Sequence, residues 1–244
     1  MNGRDGLRAV LWDMDGTLVD SEKLWDVSLH ELARHLGGEL SEQTRDAMVG
    51  SSLGSTIELM FSSLRLEPTP DELADAGKWL TSRTEELFLE GLPWRPGAHE
   101  ALRLARRAGL ATALVTSTQR QLVERALDSI GREHFDVTVC GDEVPAAKPA
   151  PDPYLMAARL LGVPPGRCLA VEDSPTGASA AEAAGCAVLV VPSEVAVPAG
   201  PARIQRDDLR GLTEEELHEL WRRVRAGDHW SSKDAHSPSV SADT

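Results

Sequence analysis

Three short apolar runs in this chain each end in polar chemistry, and this pattern restricts the fold most. Val10-Leu11-Trp12 leads into Asp13-Met14-Asp15-Gly16-Thr17. Leu114-Val115 leads into Thr116-Ser117-Thr118, and Leu169-Ala170-Val171 into Glu172-Asp173-Ser174. A Lys148-Pro149 loop lies between the last two. Buried strands that all finish in reactive side chains describe an open parallel sheet, which binds ligands beyond the carboxyl ends of its strands. Asp13 and Asp15 are two positions apart, so a strand continued through them would project both to one side. The competing reading is an exposed acidic turn, since Asp-Gly favours turns.

The intervening segments supply the covering layers. Helices are expected over 98–108, 120–130, 153–161 and 175–184, and strands over 8–12, 111–115, 137–140, 168–171 and 187–191. Alternation of this kind gives a parallel sheet with helices on its faces. Between the first and second strands the pattern is purely helical. Trp25, Leu29, Leu32 and Leu36 recur at helical spacing before Gly37-Gly38. Further helices are expected over 42–49, 56–64 and 70–89, and 92–97 reads as an exit linker. The expected architecture is therefore α/β, a Rossmann-like parallel sheet core with an inserted small α-helical cap. The core takes residues 1–19 and 93–228, the cap 20–92, and 229–244 a disordered polar tail. Thr213-Glu214-Glu215-Glu216 is expected to open the last helix as a capping box.

The 244 residues suffice for a sizeable core. A net charge of −14, from 25 basic and 39 acidic side chains, argues against nucleic acid and anionic membranes as partners. An anionic substrate then needs a local positive site. Cys140, Cys168 and Cys186 lack framework spacing and are expected as buried free thiols. With no leader expected before the first strand, and no spanning apolar run, the expected location is cytoplasmic. A monomer is the working expectation, although oligomeric state is open.

Together the strand ends can handle phosphate. Asp13 can attack phosphorus and form an aspartyl-phosphate. Asp15 can protonate the leaving alcohol and then activate water. Thr116 and the Ser117 backbone can hydrogen-bond phosphoryl oxygens, and Lys148 offers them a point charge. Asp173 can join Asp13 in holding Mg2+, with Glu172 as a supporting acid. Scattered histidines such as His30, His35 and His99 suggest no metal site.

These residues resemble the four motifs of the haloacid dehalogenase superfamily: Asp13-Met14-Asp15-Gly16-Thr17, Thr116, Lys148 in Lys148-Pro149-Ala150-Pro151-Asp152-Pro153-Tyr154, and Glu172-Asp173-Ser174. With Asp20-Ser21-Glu22 and the helical insert, the chain is similar to the β-phosphoglucomutase-like branch over roughly residues 8–191. The resemblance implies Asp13 as nucleophile and Asp15 as acid–base. It implies Mg2+ on the Asp13 and Asp173 carboxylates and the Asp15 backbone carbonyl. Dehalogenases proper lack the second aspartate, so Asp15 implies phosphate chemistry.

Two departures separate this chain from the mutases of the branch. They carry a histidine where Trp25 stands and an arginine where Leu53 stands. Sugar-phosphate phosphatases of the branch often read Asp-Ser-Glu-x-Leu-Trp, as residues 20–25 do. The expectation is a Mg2+-dependent phosphatase of a small phosphorylated metabolite, a sugar phosphate being favoured. The alternatives are a mutase-type isomerase and a catalytically idle binding protein on this fold. Glu22 and Trp25 are candidate substrate contacts, with Trp25 open between pocket wall and anchor of the cap's core.

Overall fold

A computed structural model describes residues 6–227. The expected tail at 229–244 and the first five residues lie outside it. The six strands, β1 (Ala9–Trp12), β2 (Ala111–Val115), β3 (Val137–Val139), β4 (Cys168–Glu172), β5 (Ala187–Val190) and β6 (Arg203–Gln205), form one sheet in the order β3-β2-β1-β4-β5-β6. Every neighbouring pair is parallel. β1 is central because it is apolar on both faces. Val10 and Trp12 enter one hydrophobic cluster, and Ala9 and Leu11 the other. The chain builds outward from β1 to β3, then returns to place β4 on the other side of β1. That reversal opens a crevice at the strand ends.

Four helices follow β1: α1 (Glu22–His35), α2 (Glu42–Met48), α3 (Leu53–Ser63) and α4 (Pro70–Phe88). Their apolar stripes meet in a separate cluster that includes Leu29, Leu32, Met60 and Leu80. The covering helices are α5 (Ala98–Arg107), α6 (Arg120–Ile130), α7 (Asp152–Leu161), α8 (Pro175–Ala183) and α9 (Glu214–Ala226). The α/β architecture expected from the sequence is the one observed. The two chain crossings into the helical insert lie side by side. Asp20 donates its N–H to Pro93 O at 2.8 Å, and Arg95 to Leu18 O at 2.9 Å.

Local details differ from the sequence reading. β6 was not expected. It is a three-residue edge strand whose one buried side chain is Ile204, too short for a readable alternation. α3 begins at Leu53, three residues before the helix expected over 56–64, because Ser52 caps it by accepting from Ser55 N. Thr213 accepts from Glu216 N as expected. The reciprocal half of that box is replaced by an ion pair, since the Glu216 carboxylate is held by Arg206. A complete capping box sits instead on α4, between Thr69 and Glu72.

All three cysteines are buried free thiols, and burial pushes the Cys140 thiol up to about 12. Among the described residues no helix is long and apolar enough to cross a membrane.

Candidate active site

Asp13 directly follows β1, Thr116 follows β2, and Asp173 follows β4. These three strands are adjacent, so residues more than a hundred positions apart meet at one sheet edge. Asp13, Asp15, Thr116, Ser117 and Asp173 line a single cleft together with Glu22 and Trp25 of α1. The cleft encloses about 700 Å³ including its open mouth.

Beneath the cleft floor lies a buried ionic cluster. Lys148 donates to Asp13 Oδ1 at 2.7 Å, Glu172 Oε1 at 2.7 Å and Val115 O at 2.9 Å. All three ammonium protons are thereby used. Tyr154, the chain's one tyrosine, donates to the same Glu172 oxygen, and Ser174 donates to Glu172 Oε2 at 3.3 Å. Asp173 accepts from Thr17 at 3.3 Å and from Ser193. Gly16 has φ +77°, and a Cβ there would collide with the Asp173 carboxylate, so the close approach of the two loops requires glycine.

Asp13, Glu172 and Asp173 each place a carboxylate oxygen within 4.8 Å of the others, forming a group able to hold a metal ion. Burial, with Glu172 and Asp15 nearby, raises Asp13 to about 8 despite the ammonium of Lys148. Burial next to Asp13 and Glu172 likewise raises Asp173 well above the usual carboxylate range. Three buried acids facing one lysine leave excess negative charge, and a hard divalent cation fits an all-oxygen donor set of this kind.

Asp15 turns its carboxyl the other way, toward the helical insert. Oδ1 accepts from Ser21 Oγ at 2.6 Å and from the Trp25 indole N–H at 3.0 Å. Oδ2 accepts from Thr118 at 2.7 Å and Thr116 at 3.4 Å. Ser21 is the N-cap residue of α1 yet makes no side-chain cap bond. Its hydroxyl holds Asp15 instead, giving up a bond that contributes about 1 kcal/mol to a typical helix. Trp25 lines the cleft and packs edge-on against Phe88 at 6.2 Å.

Other candidates are engaged differently from the sequence expectation. Ser117 Oγ donates to Gly50 O at 3.1 Å, which ties the β2 loop to the insert. Gly50 has φ +69°, and a Cβ there would meet Ser174. Glu22 lines the cleft but is ion-paired to Arg45 at 2.6 Å. Arg45 also contacts Asp26, and reaches Glu194 at 3.2 Å. Sequence reasoning did not find Arg45, Thr118, Tyr154 or Ser193. Arg45 lies on a polar helix where an arginine ordinarily faces solvent, and Ser193 lies in a loop without a motif. Thr118 and Tyr154 were legible only as neighbours of Thr116 and Lys148.

Burial raises Glu22 from 4.5 to about 7, against the pull of Arg45. Between those values the folded chain keeps a proton that the unfolded chain has released. Stability therefore falls as pH rises through that window. Glu22→Gln is expected to flatten the decline. Thermal melts between about pH 5 and about pH 8 test this. A variant that declines as steeply as the wild type overturns it.

A Rossmann-like core, a buried acidic cluster at its strand ends and a helical insert above them define an α/β protein with a covered acidic site. The chain belongs to the haloacid dehalogenase-like hydrolase family, whose model matches residues 7–185. Protein CbbY of Cereibacter sphaeroides is 34% identical over 194 residues, covering 76% of this chain and 84% of the relative. Hexitol phosphatase B of Escherichia coli (strain K12) is 31% identical over 188 residues, covering 76% and 83%. The crystal structure of CbbY from Rhodobacter sphaeroides in complex with phosphate superposes with a TM-score of 0.75 at 33% identity, covering 86% of this chain and 99% of that one. β-Phosphoglucomutase from Clostridium difficile shares the fold, with a TM-score of 0.80 at 18% identity over 90% of this chain and 99% of that one. The family expected from the motifs is the one found.

Proposed function

We propose that this chain is a Mg2+-dependent phosphoric monoester hydrolase acting on a small phosphorylated metabolite of the sugar-phosphate type. One observation carries the reading. Asp13, Asp15 and Asp173 face one cleft, with Lys148 bonded to Asp13 from below its floor. Named relatives point the same way, among them the hexitol phosphatase and a phosphorylated carbohydrates phosphatase of Thermotoga maritima.

Asp13 attacks phosphorus, the bond to the leaving oxygen breaks, and an aspartyl-phosphate forms. Lys148 keeps the attacking carboxylate aligned through its bond to Oδ1. Asp15 donates a proton to the departing alcohol and later takes one from the attacking water. Ser21, Trp25 and Thr118 hold the carboxyl plane toward the cleft, which leaves the Thr116 hydroxyl to turn from its 3.4 Å contact toward the phosphate. The Thr116 hydroxyl and the Ser117 backbone bind phosphoryl oxygens.

The residues that would hold Mg2+ are Asp13 and Asp173, with the Asp15 backbone carbonyl. Both Glu172 oxygens are committed to Lys148, Tyr154 and Ser174, so Glu172 serves as the lysine's anchor. When bound, the cation offsets repulsion between the Asp13 carboxylate and the phosphate dianion. The insert, residues 20–92, acts as a cap that shields the phosphoenzyme from water, hinging where Asp20 pairs with Pro93.

The test is release of phosphate from p-nitrophenyl phosphate and from a hexitol phosphate. Turnover is expected with Mg2+ and is expected to fall at least about 10²-fold in EDTA. Absence of turnover with Mg2+ overturns the reading. Asp15→Asn is expected to cost about 10²–10⁴-fold on the alkyl ester and less on the aryl ester, whose leaving group needs little protonation. Equal losses, where phosphoenzyme formation limits the rate, remove Asp15 as general acid.

Trp25→Phe keeps a ring against Phe88 but loses the N–H bond to Asp15. A bond to a carboxylate is worth about 1.5–3 kcal/mol, so kcat should drop about tenfold or more with KM little changed. An unchanged kcat would show that the indole only packs.

A further inference from the structure

The cap side of the cleft is poor in usable positive charge. Its apolar lining comes from Leu29, Met48 and Leu53, and Leu122 of α6 joins them. Thr56, Thr81 and Gln119 supply uncharged polar groups. Among the described lining residues Arg45 is the one cation. It is surrounded by three carboxylates, Glu22 at 2.6 Å, Glu194 at 3.2 Å and Asp26. Lys148 lies below the floor with its three donors spent on Asp13, Glu172 and Val115 O.

We infer that this cleft selects phosphate monoesters whose alcohol portion is uncharged, and discriminates against substrates that carry a second phosphate or a carboxylate. The inference rests on the phosphatase reading and narrows its substrate class. A second anion placed against the cap would lose water and meet no unneutralised cation. A hydroxylated carbon chain meets the opposite conditions. Its hydroxyls face threonine and glutamine side chains, and its C–H surface faces leucine and methionine. Discrimination then arises from the missing counter-charge as much as from favourable contacts.

The experiment uses the full chain with Mg2+ and four probes: p-nitrophenyl phosphate, a hexitol 6-phosphate, a pentulose 1,5-bisphosphate and 2-phosphoglycolate. The hexitol ester is expected to exceed both doubly anionic probes in kcat/KM by at least about tenfold. Leu53→Arg, which adds a cation to the cap wall, is expected to raise the bisphosphate's efficiency relative to the hexitol ester by a similar factor. Because Leu53 also packs against the cap core, Glu194→Gln provides a second route. It removes one of the three carboxylates around Arg45 without touching that core, and should shift the ratio in the same direction.

Equal or better turnover of the bisphosphate or 2-phosphoglycolate by the wild type overturns the inference while leaving the phosphatase reading intact. Failure to turn over even p-nitrophenyl phosphate overturns the phosphatase reading instead. Calorimetric titration of the three metabolite esters then decides the inference independently. A hexitol phosphate that binds no tighter than the bisphosphate and 2-phosphoglycolate overturns it.

Discussion

Asp13→Asn is expected to lower turnover by at least about 10⁴-fold while the fold persists, because groups that act as a unit lose most of their catalysis together. The amide is a poor nucleophile toward phosphorus and a weaker ligand for a hard cation. Folding should not suffer. Burial already raises the Asp13 carboxyl from 3.8 to about 8, so a neutral group suits the site in metal-free protein. Lys148 keeps Glu172 and Val115 O as partners. The sign with pH follows from the raised value. Between 3.8 and about 8 the metal-free folded chain holds a proton that the unfolded chain has lost, so stability falls as pH rises through that range. Asn lacks this contribution. In EDTA, the variant should therefore melt at or above the wild-type temperature at about pH 8, with a smaller advantage at about pH 5. Wild-type turnover by a folded Asp13→Asn protein eliminates the covalent mechanism.

Lys148→Met is expected to be the most destabilising of these changes. The lysine side chain is 2% exposed and, among the described residues, is the one ammonium bonded to Asp13 and Glu172, which are 9% and 0% exposed. Removing it leaves the buried Glu172 carboxylate without its ammonium partner, at a cost of about 3–5 kcal/mol. For a chain of this size the melting temperature should drop by about 10 °C. Turnover of the remaining folded protein should fall at least about 10²-fold, since Asp13 loses the group that aligns it. Added Mg2+ should restore part of the stability, because a cation at the acidic cluster replaces some of the missing positive charge. Melting temperatures measured with and without Mg2+ check both statements. A variant that melts like the wild type in EDTA contradicts the view that Lys148 balances the cluster.

Much of this molecule was legible before any coordinates. β1, β2, β4 and β5 are short apolar runs, and their alternation with helical segments specifies a parallel sheet. Asp13, Thr116 and Asp173 stand at predictable positions because an open parallel sheet binds ligands beyond its strand ends, and each directly follows a strand. Helices α1, α4 and α6 carry strong 3.6-residue periodicity, so their existence followed directly from the pattern. β6 did not, because a single buried Ile204 in three residues carries no period. The box at Thr213 was half wrong for a related reason. Glu216 has a competing partner in Arg206, ten residues earlier, which local pattern does not weigh.

By itself the sequence determined the fold class, the run of helices after the first strand and the reactive side chains that follow the strands, since each is written in local spacing and residue type. Tertiary structure alone decided how those residues are used. Asp13 and Asp15 lie two positions apart, yet one is buried against Lys148 while the other is held by Ser21, Trp25 and Thr118. Their different surroundings come from elements up to 135 residues away. Arg45 likewise reads as an ordinary surface cation until folding surrounds it with Glu22, Asp26 and Glu194. Charge balance and hydrogen bonding depend on distance in space, and spacing along a chain encodes that distance only within a helix or a strand.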